Sequence, residues 1–387
     1  MANEATKIAL QVPEKGAMLQ IEQGLDAAII GLLKRGLEGK LFDAALLPVL
    51  VPAGDSYAWV LMENDKLLEN AHILPPVMPV QGARALSSIT KHGKAERRIA
   101  AIMRPCEVRA TIELAKLNQI NLENIYLISV DCPGVLPLKE YLRDKAKSEK
   151  SFYEAVNAGK TDVMRQTCQS CVHFSMTASD LHIATIGMDG GAILVHGSEK
   201  GKRFMESLNL KFETDTSNWQ SEVKELTGRR LVLRANAHKS IKSEHSGMDN
   251  LMSTFGKCIS CHNCMSVCPI CYCRRCYFES EAIEFMPQQY FNRAKQKGFS
   301  KIPHDTLLFH IGRMSHMTLS CVSCGCCEDA CPVSIPVSQL FAATAEDTQK
   351  AFDYIPGRNI DEELPLRMFI KDKELTEIER ICKDPLE

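Results

Sequence analysis

Two stretches of the chain carry the same run of cysteines, C-x2-C-x2-C-x3-C-P: Cys258, Cys261, Cys264 and Cys268 before Pro269, and Cys321, Cys324, Cys327 and Cys331 before Pro332. This is the bacterial spacing for a four-iron, four-sulfur (4Fe–4S) cubane. Three thiolates two residues apart wrap a loop around one cluster, while the fourth, held off by the proline turn, reaches the other. One cluster is therefore expected on Cys258, Cys261, Cys264 and Cys331, and a second on Cys321, Cys324, Cys327 and Cys268. A pair of zinc sites fits poorly, because zinc usually takes two separated cysteine pairs rather than one short run ending in proline.

The 387 residues allow two or three domains, each burying its own core without disulfides, and the 17 cysteines fall in tight clusters, which points to metal ligation in a reducing, cytoplasmic setting. Met1 to Pro13 holds no apolar run suited to a signal peptide, and no uninterrupted apolar stretch long enough for a membrane span occurs. A net charge of −2 gives no electrostatic reason to expect nucleic acid or anionic lipid as a ligand.

From Gln20 to about Pro137 helix-like and strand-like segments alternate: a helix in LDAAIIGLLKRGL, then strands in ALLPVLVP, RRIAAIM and NIYLISVDC, with the helical EVRATIELAKL between the last two. Strand, helix, strand argues for a βαβ unit and a mostly parallel sheet. A charged helical link over LKEYLRDKAKSEKSFYEAVNAGK leads to a strand, glycine turn and strand in DLHIATIGMDGGAILVHG. KSIKSEHSGMDN reads as a polar linker or helix start. The expected organisation is an α/β domain over 1–239, an α-helical two-cluster domain over 240–345, and a tail over 346–387 ending in an amphipathic helix that docks on a partner or on the domain. The motifs stand about 50 residues apart, with helical segments around SEAIEFMPQQYFNRAKQKG and TLLFHIGRMSHMTLS. By analogy this is the helical ferredoxin type of larger redox complexes.

The N-terminal two-thirds holds four more cysteines, Cys106, Cys132 and the pair Cys168 and Cys171. Four is the number one cubane needs, and Cys106 and Cys132 each follow a predicted strand, at the carboxyl ends where open α/β sheets gather ligands. Ordinary buried thiols are the alternative. Cys271, Cys273 and Cys276 after the first motif, and Cys326 inside the second, could supply another cluster, or could tune its potential as neighbouring thiols. Cys382 reads as a packed residue. His173, His310 and His316 read as structural hydrogen-bond partners rather than ligands, and Met286, Met314 and Met317 as gap fillers.

MRPCEVRA, SVDCPG, the C-x2-C followed by VHFSMTASDLHIATIGMDG, and GKCISCHNCMSVCPICYC together resemble the flavin-containing beta subunits of coenzyme F-420 (deazaflavin)-reducing hydrogenase and of F-420-dependent formate dehydrogenase. The likeness spans roughly Gln20 to Pro365, and the C-terminal cluster pair makes it most similar to the formate dehydrogenase form. The resemblance implies FAD beside a third 4Fe–4S cluster on Cys106, Cys132, Cys168 and Cys171. No G-x-G-x-x-G fingerprint is present, so FAD rests on the resemblance. Lys91, Lys94, Arg97, Arg98 and Arg104 are candidates for the flavin phosphates, with a solvated helix face as the plain alternative. Gly187, Gly190 and Gly191 allow close backbone approach to a cofactor, or simply a tight turn.

The implied function is an electron-transfer oxidoreductase subunit. It would pass electrons between a soluble hydride carrier, F-420 or NAD(P)H, through FAD and the clusters, to a partner such as a formate dehydrogenase, hydrogenase or heterodisulfide-reductase-like subunit. A flavin-free adaptor relaying electrons between two proteins is the competing reading, and an α/β domain kept only as a platform is a third. No molybdopterin, nickel or substrate-carbon site is visible, so formate or hydrogen oxidation belongs to another chain.

Overall fold

The structure is a computed structural model and describes residues 12–365 apart from 189, 284–285 and 299–304. The elements that position the site are β1 (Lys15–Gln20), α1 (Leu25–Glu38), β2 (Ala44–Leu50), β3 (Tyr57–Met62), α2 (Gly82–Thr90), β4 (Ile99–Met103), α3 (Pro105–Lys116), β5 (Ile125–Val130), α4 (Leu138–Arg143), α5 (Lys145–Asn157), β6 (Leu181–Ala184), β7 (Gly191–His196), α6 (Glu199–Ser207), β8 (Thr214–Asp215) and α7 (Ser217–His245). The cysteine-rich part adds α8 (Met248–Phe255), α9 (Pro287–Lys297), α10 (Thr306–Met317) and α11 (Val337–Ala351).

The strands form one sheet in the order β3-β2-β4-β5-β6-β7-β1-β8. Its centre, β2-β4-β5-β6, is parallel, and β3 on one flank and β7, β1 and β8 on the other each pair antiparallel with their neighbours. Every residue of β4, IAAIM, is buried, as a central strand covered on both faces requires. The period of two sorts the core: Ala100, Ile102, Ile128 and Val130 face α1, while Ile99, Ala101, Met103, Ile125 and Leu127 face α2 and α3. The expected α/β domain with a parallel βαβ centre and the helical cysteine-rich region are both present.

That second face is shared. Cys268, Ile270, Met317 and Val322 from the cysteine-rich region join the same apolar cluster as β4, β5, α2 and α3. Lys239 does not open a linker; it lies inside α7, a helix of 29 residues that ends at Ser246 and Gly247. Hydrophobicity on α7 is too diffuse to define a stripe, and what carries it past Lys239 is its packing along α11, where Arg234 and His238 meet Glu346 and Lys242 meets Asp347. After α11, Tyr354 turns back to α3, where its hydroxyl donates to Glu113 Oε1 at 2.5 Å and accepts from Lys116 Nζ at 3.0 Å. The amphipathic helix expected at the very end, and Cys382, fall outside the described residues. Among the described residues no helix is long and apolar enough to cross a membrane.

Candidate functional site

Both cysteine motifs fold into the same loop. The residues flanking the second cysteine, Ser260 and His262 in one copy and Ser323 and Gly325 in the other, all adopt positive φ, between 53° and 84°. Three of these are not glycine, and L-residues held there signal a loop fixed by its surroundings. The result is two cavities. One, of about 300 Å³, is lined by Cys258, Cys261, Cys264 and Cys331; the other, of about 400 Å³, by Cys268, Cys321, Cys324 and Cys327. Cys331 thus lines the cavity of the first motif and Cys268 that of the second. Among the described residues no three His, Cys, Asp or Glu side chains gather tightly enough for a single ion. This donor set and cavity fit a multi-iron group.

Burial raises several of these thiols, whereas the bond from Cys326 brings Cys324 down to about 7. Burial pushes the Cys264 thiol up to about 11 despite Arg313 nearby, and burial raises Cys321 and, strongly, Cys327. Four thiolates crowded in an apolar pocket are penalised unless a cation is among them, and an iron cluster supplies that charge. Donors already point at the first set: Ser260 N–H to Cys258 Sγ at 3.4 Å, Ile335 N–H to Cys331 Sγ at 3.3 Å and Arg313 Nη1 to Cys264 Sγ at 3.1 Å.

The four N-terminal cysteines also come together. Cys106 lies in the first turn of α3, just past the carboxyl end of β4; Cys132 follows β5; Cys168 and Cys171 sit in and after the short turn Gln166–Gln169. Burial raises Cys106 strongly, helped by Glu107 and by the charges of Cys132 and Cys171, and burial pushes Cys168 up to about 11, with Cys132 and Cys171 adding to it. Gly134, at φ +109°, lets the Cys132 loop pass this close, since a Cβ there would stand 3.0 Å from Met164 Cγ and 3.1 Å from Cys168 Cβ. This group adjoins the second cavity. Cys324 and the fully buried Cys326 share an apolar cluster with Cys106 and Cys168, and a Cβ on Gly325 would stand 2.5 Å from Thr167 Oγ1. Between them Arg165, buried, sits 3.1 Å from Asp329 with its guanidinium nitrogens making no hydrogen bond.

The expected flavin contacts scatter. Arg104 is buried and committed to the Cys132 loop, donating to Cys132 Sγ at 3.1 Å, Gly134 O at 3.2 Å and Pro75 O at 2.5 Å. Lys91 caps α2 in solvent. Lys94 pairs with Glu123 at 2.9 Å, Arg97 with Glu63 and Arg98 with Asp43 at 2.7 Å, all at the surface. Arg97 and Arg98 precede β4 and Cys106 follows it, so about 16 Å of strand separates them. Gly187 packs against Glu222, and Gly190 stands open.

Sequence reading missed a cavity of about 610 Å³ between Cys171 and Cys321. Arg109, Thr167, His173, Arg234, His238 and Gln339 are among its lining residues. They come from α3, α7, α11 and the segment 166–173, so no local pattern could announce it. Of the remaining thiols, Cys271 donates to Met317 Sδ at 3.0 Å, Cys276 to Met265 Sδ at 3.9 Å and Cys326 to Met78 O at 3.6 Å, while Cys273 is exposed. His310, expected to be a hydrogen-bond partner, has none: it stacks on Phe255 at 4.3 Å, both ring nitrogens are unbonded, and burial beside Arg313 pushes it down to about 3.

No family model matches the chain. It is 28% identical over 92% of its length to the F-420-dependent formate dehydrogenase subunit beta of Methanocaldococcus jannaschii, covering 97% of that protein. It is 27% identical over 87% of its length to the F-420-dependent formate dehydrogenase 1 subunit beta of Methanococcus maripaludis, covering 92% of it. A chain of the F-420-reducing nickel–iron hydrogenase complex from Methanosarcina barkeri superposes with a TM-score of 0.42 and 10% identity, over 60% of this chain and 94% of that one. The two sequence relatives are beta subunits of the kind the motifs resemble.

Proposed function

We propose, from a chain homologous over some nine-tenths of its length to formate dehydrogenase beta subunits, that it is an electron-transfer oxidoreductase subunit linking a hydride carrier, F-420 or NAD(P)H, to a partner redox protein. Two 4Fe–4S cubanes would be held in the C-terminal cavities and a third by Cys106, Cys132, Cys168 and Cys171. The observation that carries this reading is the exchange of Cys268 and Cys331 between the two cavities. The third group, adjoining the second cavity through Cys106 and Cys324, extends the line of thiols into the α/β domain.

FAD bound beside the third group would exchange a hydride as an electron pair and match it to carriers of single electrons. Among the described residues we place it at the cavity beside Cys171, whose Arg109 and Arg234 suit its phosphates. The surface positions of Lys91 and Arg97 favour solvation for them instead. The chain's own residues do the rest: thiolates bind iron, Arg104 holds the Cys132 sulfur, and apolar walls exclude water from the C-terminal cavities. The partner, a formate dehydrogenase, hydrogenase or heterodisulfide-reductase-like subunit, performs the substrate chemistry.

Anaerobic purification of the full chain with iron, sulfide and flavin counts tests this. About 12 iron atoms per chain and acid-released yellow flavin are expected. About 8 iron atoms would remove the third cluster, and a flavin-free protein would leave an iron–sulfur adaptor between two partners.

A further inference from the structure

Arg313 and His310 lie one turn apart on α10 and both close on the first cavity. Arg313 is 2% exposed, and a guanidinium that deep needs an anion. None of its recorded partners is a carboxylate: Nη1 donates to Cys264 Sγ at 3.1 Å, Nη2 to Cys264 O at 3.1 Å and weakly to Met317 Sδ, and its plane lies near the Phe309 and Phe341 rings. The anion it meets is therefore a cysteine sulfur. His310 is 1% exposed, lines the cavity beside Cys258, Cys261, Cys264 and Cys331, and finds no partner for either nitrogen. A buried polar group left so in a native fold points to a partner that the protein's own atoms do not supply.

We propose that Arg313 and His310 are positioning residues that set the reduction potential of the group in this cavity, each donating an N–H to its sulfur atoms. The proposal rests on reading the cavity as a 4Fe–4S site. Reduction adds one electron, and so one negative charge spread over those sulfurs, with no proton required. Hydrogen bonds to the sulfurs favour the more negative form and raise the potential. A charge-assisted bond from Arg313 counts for more than a neutral one from His310. Arg313's bond falls on Cys264 and on no sulfur of the second set, so the effect is greatest at the first cavity.

The test is an EPR-monitored redox titration of the anaerobically purified full chain, following the signal that Cys261→Ser abolishes. Arg313→Gln is expected to lower the equilibrium constant for reduction about tenfold, a ~59 mV fall for a one-electron couple, at unchanged iron content. Arg313→Lys should fall less. His310→Phe, which keeps the ring stack on Phe255, should fall several-fold. Wild-type potentials in all three variants at full iron would overturn the proposal while leaving the 4Fe–4S reading intact. Should Arg313→Gln lose its iron, pulsed EPR on reduced wild-type protein carrying ¹⁵N-arginine decides: a nitrogen coupling to this cluster supports the proposal, and its absence overturns it. A wild-type chain in which Cys261→Ser removes neither iron nor signal would instead overturn the reading on which the proposal rests.

Discussion

At the scale of single residues, what the sequence exposes is chemistry that is local in the chain. Cysteine spacing announces which sulfurs share a loop and that the fourth of each run is expected to cross over, and the cavity linings group the sulfurs the same way. Asp131 is the opposite case. Its buried carboxylate accepts from His182 Nε2 at 3.0 Å, Trp219 Nε1 at 2.9 Å and the backbone N–H groups of Thr185 and Ile186 at 2.7 and 3.0 Å, with Ser175 bonded as well. These partners come from separate segments, so nothing next to SVDCPG betrays the hub that anchors the chain one residue before Cys132. Asp131→Asn would turn an amide N–H against those donors. We expect a loss of about 3 kcal/mol, from a buried charged acceptor replaced by a poorly matched group, read as a lower urea midpoint by Trp219 fluorescence. An unchanged midpoint would show the hub to be dispensable.

Among elements, those with a strong period were legible: α1, β2, β4, α3 and β5 appear where apolar spacing puts them, and the glycine turn between β6 and β7 makes the expected hairpin. α7 was not, because its polar C-terminal half is held by ion pairs to α11 rather than by an apolar stripe. Glu346 is the centre of that contact, with Arg234 Nε at 3.5 Å, Lys350 Nζ at 3.1 Å and His238 bonded to it. Burial alone would raise its carboxyl, but the His238 bond and the neighbouring cations outweigh it and bring it down to about 2 from 4.5. Because the folded value is the lower one, this stabilisation is present above about pH 4.5 and fades as pH falls toward 2. Urea midpoints measured from neutral pH down through that window should fall more steeply for wild type than for Glu346→Gln. Parallel curves would remove Glu346 from the α7–α11 contact.

Over the whole molecule the cysteine-rich region is no appendage on a linker. It shares an apolar cluster with β4 and β5, and Arg84 donates to Cys268 O at 3.0 Å, Arg109 to Pro356 O at 2.8 Å and Lys139 to Pro332 O at 3.1 Å. The composition change near Lys239 marks a shift in chemistry, and the physics of packing ignores it. In urea, the fluorescence of Trp59 and Trp219, both in the α/β part, and the visible absorbance of the proposed cysteine-bound iron should therefore be lost together, as one cooperative unit would lose them. Two well-separated midpoints would restore the picture of independent domains. The traded fourth cysteines carry a further consequence, for biogenesis. A nascent chain that has released only its first motif offers three of the sulfurs its own pocket needs; the second pocket has its four only with Cys327 and the first only with Cys331, so neither is complete before the second motif has left the ribosome. With iron held there as proposed, loading is late and joint, and a chain truncated between the motifs would be born unable to keep either cargo.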